Sequence, residues 1–310
     1  MKATLTWKSP GPSAALLFLL AVVPSARAQT TVTWSSPMVF TNGSDRVFTQ
    51  QTINNSGTVL WADGANLTLA GGAVFNNLAD GVFKVTHNGS MVNDNSSAFN
   101  NYGLFEQTAG AGETTLGTFT NYGTVSVRSG TMTFVYNYEQ EAGATILAGG
   151  DLCAWPNAVS IRGGALEGQG TIEAGNWNPG VYNNGTIIPT GILKIANSSY
   201  GQTSSGAMNI ALGGATAGSG YGQLIVGGGA NLDGALNITL TNGFHPRPGD
   251  RFEVLKYRSH SGKFAVIRGL DLGTGLALRP DYTGSKLTLT VVTEGTSPIH
   301  ETLATANIQP

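Results

Sequence analysis

Charge is scarce in this chain. Of 310 residues, 16 are Lys or Arg and 18 are Asp or Glu, so charged residues make up 11%, under half the usual share of about 25%. Scarce Glu, Lys and Arg, together with abundant Gly, argue against a helical bundle. Disorder is excluded too, because 41% of residues are hydrophobic and charge-rich, apolar-poor composition is what keeps chains unfolded. A single cysteine, Cys153, allows no internal disulfide and no four-ligand zinc site of the common kind. It reads as a small buried hydrophobe rather than a reactive thiol. Beyond residue 28 no stretch is apolar for 18 residues, so no transmembrane helix is expected after it.

Chemical motifs are missing as well. There is no G-x-S-x-G elbow and no H-E-x-x-H pair, the local signatures of serine hydrolases and zinc proteases. His87, His245, His260 and His300 lie far apart. Gly227-Gly228-Gly229 precedes no helical pattern, so it is no phosphate loop. Gly213-Gly214-Ala215-Thr216 lacks the Asp of a calcium-binding nonapeptide. Glu139, Glu141 and Asp151 form the densest set of carboxylates. Glu139 and Glu141 would share one side of a strand, which reads as a solvated edge, and Glu167 and Glu173 are read the same way. No catalytic residue, cofactor or metal is expected.

The first 28 residues have their own grammar. Lys2 and Lys8 precede the apolar run from Ala14 to Val23, Pro24 ends it, and Ala26-Arg27-Ala28 follows. This is the three-part pattern of a secretory signal peptide cut before Gln29; a buried N-terminal helix is the alternative. Losing three of the 16 cations leaves 13 against 18 anions, a net charge of −5, which disfavours nucleic acid as a partner.

What the chain has in excess is Gly, at 44 residues, about twice the usual proportion. Many of these glycines fall in one recurring phrase. It is seen in Asn55-Ser56-Gly57, Asn101-Tyr102-Gly103, Asn121-Tyr122-Gly123 and Asn184-Gly185, with a relative at Asp80-Gly81 and degenerate copies at Gly143 and Gly170. Taking Gly57, Gly81, Gly103, Gly123, Gly143, Gly170 and Gly185 as equivalent gives steps of 24, 22, 20, 20, 27 and 15. A period near 20 with turn residues at one phase is the signature of a solenoid. After each corner come alternating residues, such as Thr124-Val125-Ser126-Val127-Arg128, whose period of two marks a half-buried strand. Asn at successive corners would stack into an amide ladder. A β-sandwich also has short strands, but it gives no reason for one turn phrase to recur at one phase.

The run Gly164-Ala165-Leu166-Glu167-Gly168-Gln169-Gly170-Thr171-Ile172 resembles the G-x-L-x-G-x-G-T-I phrase of autotransporter-type passenger repeats. Tyr182 to Leu193, Met208 to Gly214, and Tyr221-Gly222-Gln223-Leu224 are similar to the phrases that follow it in those secreted bacterial proteins, with Gly222 in place of their usual Asp. The resemblance implies a right-handed parallel β-helix on a bacterial surface or in the medium, and no catalysis. No translocator barrel of many alternating strands and no C-terminal sorting helix are expected here.

The expected architecture is therefore all-β. A signal peptide (1–28) precedes a right-handed parallel β-helix (29–205), a β-rich C-terminal cap (206–293) and a flexible tail (294–310). Two groups are candidate ligand sites. Trp155, Trp177 and Tyr182 cluster in sequence and either stack on sugar rings or fill the core. Seven cations lie between Arg247 and Arg279, among them Arg258 and Lys263. They either dock anionic glycans or protect exposed strands from edge pairing. The functional expectation is an exported, adhesin-like structural protein whose partners are surface glycans or other cell-surface proteins. The competing expectation is a carbohydrate-binding or polysaccharide-degrading β-helix, which convergence of two carboxylates and a cation in a groove would favour.

Overall fold

The computed structural model of the protein describes residues 29–295, apart from 109, 111, 176–178 and 274. The expected signal peptide and residues 296–310 of the expected tail lie outside the described residues. The described chain contains strands and no helix, so no helix among these residues is long and apolar enough to cross a membrane.

The strands wind as a three-sided parallel β-solenoid. Eleven of them, from Thr30–Trp34 to Ser259–Gly262, stack as a parallel sheet that forms the first face. The second face follows the corner after each of these strands, and the third follows the next corner. Faces two and three form one 22-stranded sheet, because Ala165–Glu173 and Thr186–Ala196 run unbroken around the corner between them. Val, Phe and Leu alternate inward into a single continuous core. Phe75, Phe99 and Phe119 stack with near-parallel rings 4.8 and 5.2 Å apart. Phe83 and Phe105 do the same on the second face, at 5.1 Å.

Two columns set the corner between the first and second faces. One is the amide ladder. Asn55, Asn77, Asn101 and Asn121 are fully buried, and the Nδ2 of each of the first three donates to the Oδ1 of the Asn one rung on, at 2.8 Å in every step. Gln140 continues the ladder at 3.5 Å, and Ile161 then takes the equivalent place in the register. The ladder resumes at Asn183, which pairs in register with Ile161; its Oδ1 has no hydrogen-bond partner among the described residues. This refines one reading of the sequence and adds a residue it did not name. The column residue is Asn183, while Asn184 is exposed on the corner. Asn77, which lacks the short N-x-G phrase, was not legible as a column member because its corner is longer.

The second column is glycine. A Cβ on Gly123 would sit 2.3 Å from the Gly103 carbonyl oxygen, and one on Gly143 would sit 1.9 Å from that of Gly123. No side chain fits, because the next rung's amide must reach that carbonyl: Thr124 N–H donates to Gly103 O at 2.8 Å and Ala144 N–H to Gly123 O at 2.8 Å. The column corrects the spacing too. Ala144 pairs with Ala165, and Ala165 with Thr186. The member between Gly143 and Gly185 is therefore Gly164, not Gly170, and the uneven steps of 27 and 15 become 21 and 21.

Parallel coiling also continues past residue 206, where the sequence changes character. Ala207–Leu212 pairs with Ala235–Leu240, which pairs with Val266–Arg268. Antiparallel pairing comes near the end of the described chain: Lys286–Thr293 pairs with Arg251–Lys256 and with Leu276–Tyr282. Glu253 ties it down, taking Lys256 at 3.0 Å and also Lys286. The Gly222 departure has a steric cause, since a Cβ there would lie 1.8 Å from the Pro189 carbonyl oxygen.

Asn101→Ala leaves Asn77 and Asn121 each short of one buried partner and opens a void. The expected loss is about 2–4 kcal/mol. Asn184→Ala, on the exposed corner, is expected within about 0.5 kcal/mol of the parent. Urea denaturation followed by circular dichroism distinguishes the two.

Candidate functional site

The outer side of the first face is the most distinctive surface. Strand alternation that sends Asn77 and Asn101 inward sends Asn76 and Asn100 outward. These outward amides form a second ladder, Asn76 donating to Asn54 at 2.9 Å and Asn100 to Asn76 at 3.0 Å. Further along, the outward positions are Thr120, Glu139, Ser160 and Tyr182.

Aromatic side chains flank this strip. Tyr102 and Tyr122, each following a ladder Asn, stack with centroids 4.8 Å apart and planes 12° apart. Burial, then the neighbouring Tyr102, Glu141 and Glu139, push the Tyr122 phenol above its ordinary value. Arg162 follows on the same corner, donating to Glu139 at 3.0 Å and lying 3.4 Å from Glu141. On the opposite corner, Val135 and Tyr136 on one rung precede Trp155 and Pro156 on the next. Asn157 Nδ2 donates to the Val135 carbonyl at 2.9 Å and joins the two corners.

The expected sugar-stacking group is thus only partly assembled. Trp155 is 48% exposed and Tyr182 is 39% exposed, so neither fills the core. They sit on different rungs, Trp155 in a corner and Tyr182 mid-strand, and Trp177 lies outside the described residues. Tyr102, Tyr122, Tyr136 and Arg162 were not picked out by sequence reasoning as binding candidates. The available signal was parity: each falls in the corner just before or after a first-face strand, outside the inward alternation.

The second expected group spreads over the far end. Arg258 is exposed. Lys263 lies 5.4 Å from the Tyr282 ring centroid, and His260 packs 5.0 Å from Tyr257 and 5.7 Å from Tyr282. Lys256 is paired with Glu253, and Arg268 donates to Asn237 at 3.1 Å. Lys256, Lys263 and Arg268 thus have partners within the protein, while Arg258 faces solvent. The turn residues Asn55, Gly57, Gly81, Asn101, Gly103, Asn121, Gly123 and Gly185 all stand at the first corner, with Asn184 beside them.

Elsewhere, a shallow depression of about 390 Å³ on the third face is lined by Glu113, Asp151, Cys153 and Glu173 with Thr131, Thr133 and Thr171. Burial, chiefly, and the nearby Glu173 and Glu113 raise the Cys153 thiol above its ordinary value. Among the described residues no three His, Cys, Asp or Glu side chains are placed to hold a metal ion.

No protein-family model matches the chain, and no match to a curated protein was found. The parallel solenoid itself is consistent with a β-helix repeat protein.

The core tyrosines give a pH prediction. Tyr138 bonds Thr145 at 2.5 Å and Tyr200 bonds Asn183 at 2.9 Å; burial raises both phenols well above the ordinary value. Burial also pushes Tyr257 and Tyr282 up to about 12. A raised native pKa means that the folded state holds the proton more tightly. Stability is then full below about pH 10, the ordinary tyrosine value, and falls as pH rises beyond it. Tyrosinate absorbance is expected to reach its full amplitude only on unfolding.

Proposed function

We infer that this chain is an exported, non-enzymatic β-solenoid acting as a structural or adhesive rod that presents a long outer face to cell-surface or matrix partners. The observation that carries this reading is the outward repetition of side chains in register along the first face: Asn54, Asn76 and Asn100, then the Tyr102–Tyr122 stack. Similar polar and aromatic groups repeated on neighbouring rungs let many shallow contacts act together, which raises avidity without any deep pocket. One surface depression, about 540 Å³, is lined by corner residues such as Gly143, Gly164 and Gly185, with no ionisable side chain. The passenger-type resemblance and the signal-like residues 1–28 support export and a bacterial surface location.

The enzymatic alternative has one point in its favour. Glu139, Glu141 and Arg162 do bring two carboxylates and a cation together. They do so on an outward face, and one guanidinium engages both carboxylates. A glycosidase pair instead flanks a bound sugar with one carboxyl group free to protonate the leaving oxygen.

Beads coated with the purified chain are expected to be held by cell-surface or matrix preparations, with retention rising more steeply than coating density. Release of reducing ends from a polysaccharide, lost in Glu139→Gln, would overturn the non-enzymatic reading. Protein expressed with its leader is expected to leave the cytoplasm and begin at Gln29, which intact-mass measurement reads directly.

A further inference from the structure

Five aromatic side chains are exposed among the described residues: Tyr102 at 43%, Tyr122 at 39%, Tyr136 at 41%, Trp155 at 48% and Tyr182 at 39%. All five lie on the first face or in a corner that enters or leaves it, between the rungs of Ala98–Asn101 and Val181–Asn183. The other Phe, Trp and Tyr residues of the described chain are buried or partly buried. Exposed aromatics gathered on one side of a protein mark an interaction site, whereas scattered ones need no explanation.

We propose that this side of the solenoid is a binding track for an extended, uncharged polysaccharide, resting on the adhesive reading above. Three features select that occupant. The first is charge. On the first face and its two corners Arg162 is the single cation of these rungs among the described residues, and Glu139 and Glu141 already engage it; Arg128 lies beyond the second face, paired with Glu106. Asp94, Glu139 and Glu141 are the anions there, so a sulfated or uronic-acid polymer meets no free positive charge. The second is chemistry. The track offers aromatic rings beside neutral hydrogen-bonding groups: Asn100, Thr120 and Ser160 on the strands, and Asn137 and Asn157 in the corner beside Tyr136 and Trp155. Rings and amides together suit a ligand with apolar ring faces and a hydroxyl rim.

The third feature is size. Five rungs span roughly 20 Å, and a three-residue strand with its flanking corners is about 15 Å wide, at the usual strand dimensions. The strip is narrow and follows the rod, unlike the broad patch of roughly 800 Å² of accessible surface per partner in an ordinary stable protein interface. A slender chain lying along the rod is in proportion to the strip. The track is also preorganised. Val135 N–H donates to Leu116 O at 2.8 Å and Ala154 N–H to Glu173 O at 2.7 Å, so the backbone beside Tyr136 and Trp155 is already fixed before a ligand arrives.

The test uses the full chain and affinity electrophoresis in gels containing one polysaccharide each: a β-1,4-glucan, a xylan, an α-glucan, a partly acetylated chitosan brought to neutrality, alginate or heparin. Retardation by at least one uncharged polymer is expected. Trp155→Ala and the double variant Tyr102→Ala/Tyr122→Ala are each expected to weaken it at least fivefold with an unchanged thermal midpoint. Arg258→Ala/Lys263→Ala is expected to retain it. Free oligosaccharide of the same polymer is expected to perturb tryptophan fluorescence in the parent and not in Trp155→Ala. No retardation by any uncharged polymer, retardation by alginate or heparin alone, or full retention in both aromatic variants would each overturn the proposal. If bead retention persists while every polysaccharide fails, the adhesive reading survives and the ligand class is wrong. If bead retention fails while a neutral glycan is bound through Trp155, the reverse holds.

Discussion

The structure depends on one constraint: each rung must lie directly upon the last, close enough for main-chain hydrogen bonds to form between neighbouring turns at every face. That spacing, about 4.8 Å, leaves no room for a side chain where one corner crosses the next. The glycine column is its steric consequence, since at Gly123 and Gly143 any side chain would collide with the carbonyl oxygen of the rung before. The amide ladder is its polar consequence. A corner brings backbone carbonyls inside, and Asn101 Nδ2 serves the Gly103 and Thr124 carbonyls while also bonding Asn121. Without such a side chain the Gly103 carbonyl keeps its backbone partner, Thr124 N–H. Both carbonyls still lose a side-chain donor, and the neighbouring ladder amides each lose a buried partner, at a cost of about 1–3 kcal/mol for each group left unpaired.

The same constraint determines which side chains reach solvent. Because strands alternate, fixing Asn101 and Phe99 inward fixes Asn100 outward. Because rungs repeat, an outward residue meets its counterpart one rung away. Tyr102 and Tyr122 stack for this reason, and Glu139 and Glu141 come within reach of Arg162. The outer surface is thus a by-product of the register that builds the core, which is why a recurrent surface arises without dedicated loops.

Much of this was legible from residues alone, and the misreadings share a cause. Where the corner is short and reads N-x-G, as at Asn101 and Asn121, the phase was plain. It slipped where the phrase is degenerate. At 163–170 the chain holds four glycines, Gly163, Gly164, Gly168 and Gly170, and sequence alone does not say which stands on Gly143; hydrogen bonding of Ala165 to the Gly143 carbonyl does. At 183–184 two adjacent asparagines hide which one is buried. Asn77 was missed because Leu78, Ala79 and Asp80 lengthen its corner before Gly81. The exposed aromatics were harder still. Composition places Trp and Tyr inside by default, and only the register reveals that Trp155 and Tyr182 fall on outward positions.

The equal corners at Gly103, Gly123 and Gly143 have an evolutionary corollary. Each step between them is 20 residues and brings the chain back to the same point on the triangle. Duplicating or deleting one such segment in the gene would join strands that already match, with no reshaping on either side. Rod length can therefore change by recombination in whole increments, while the two ends stay as they are.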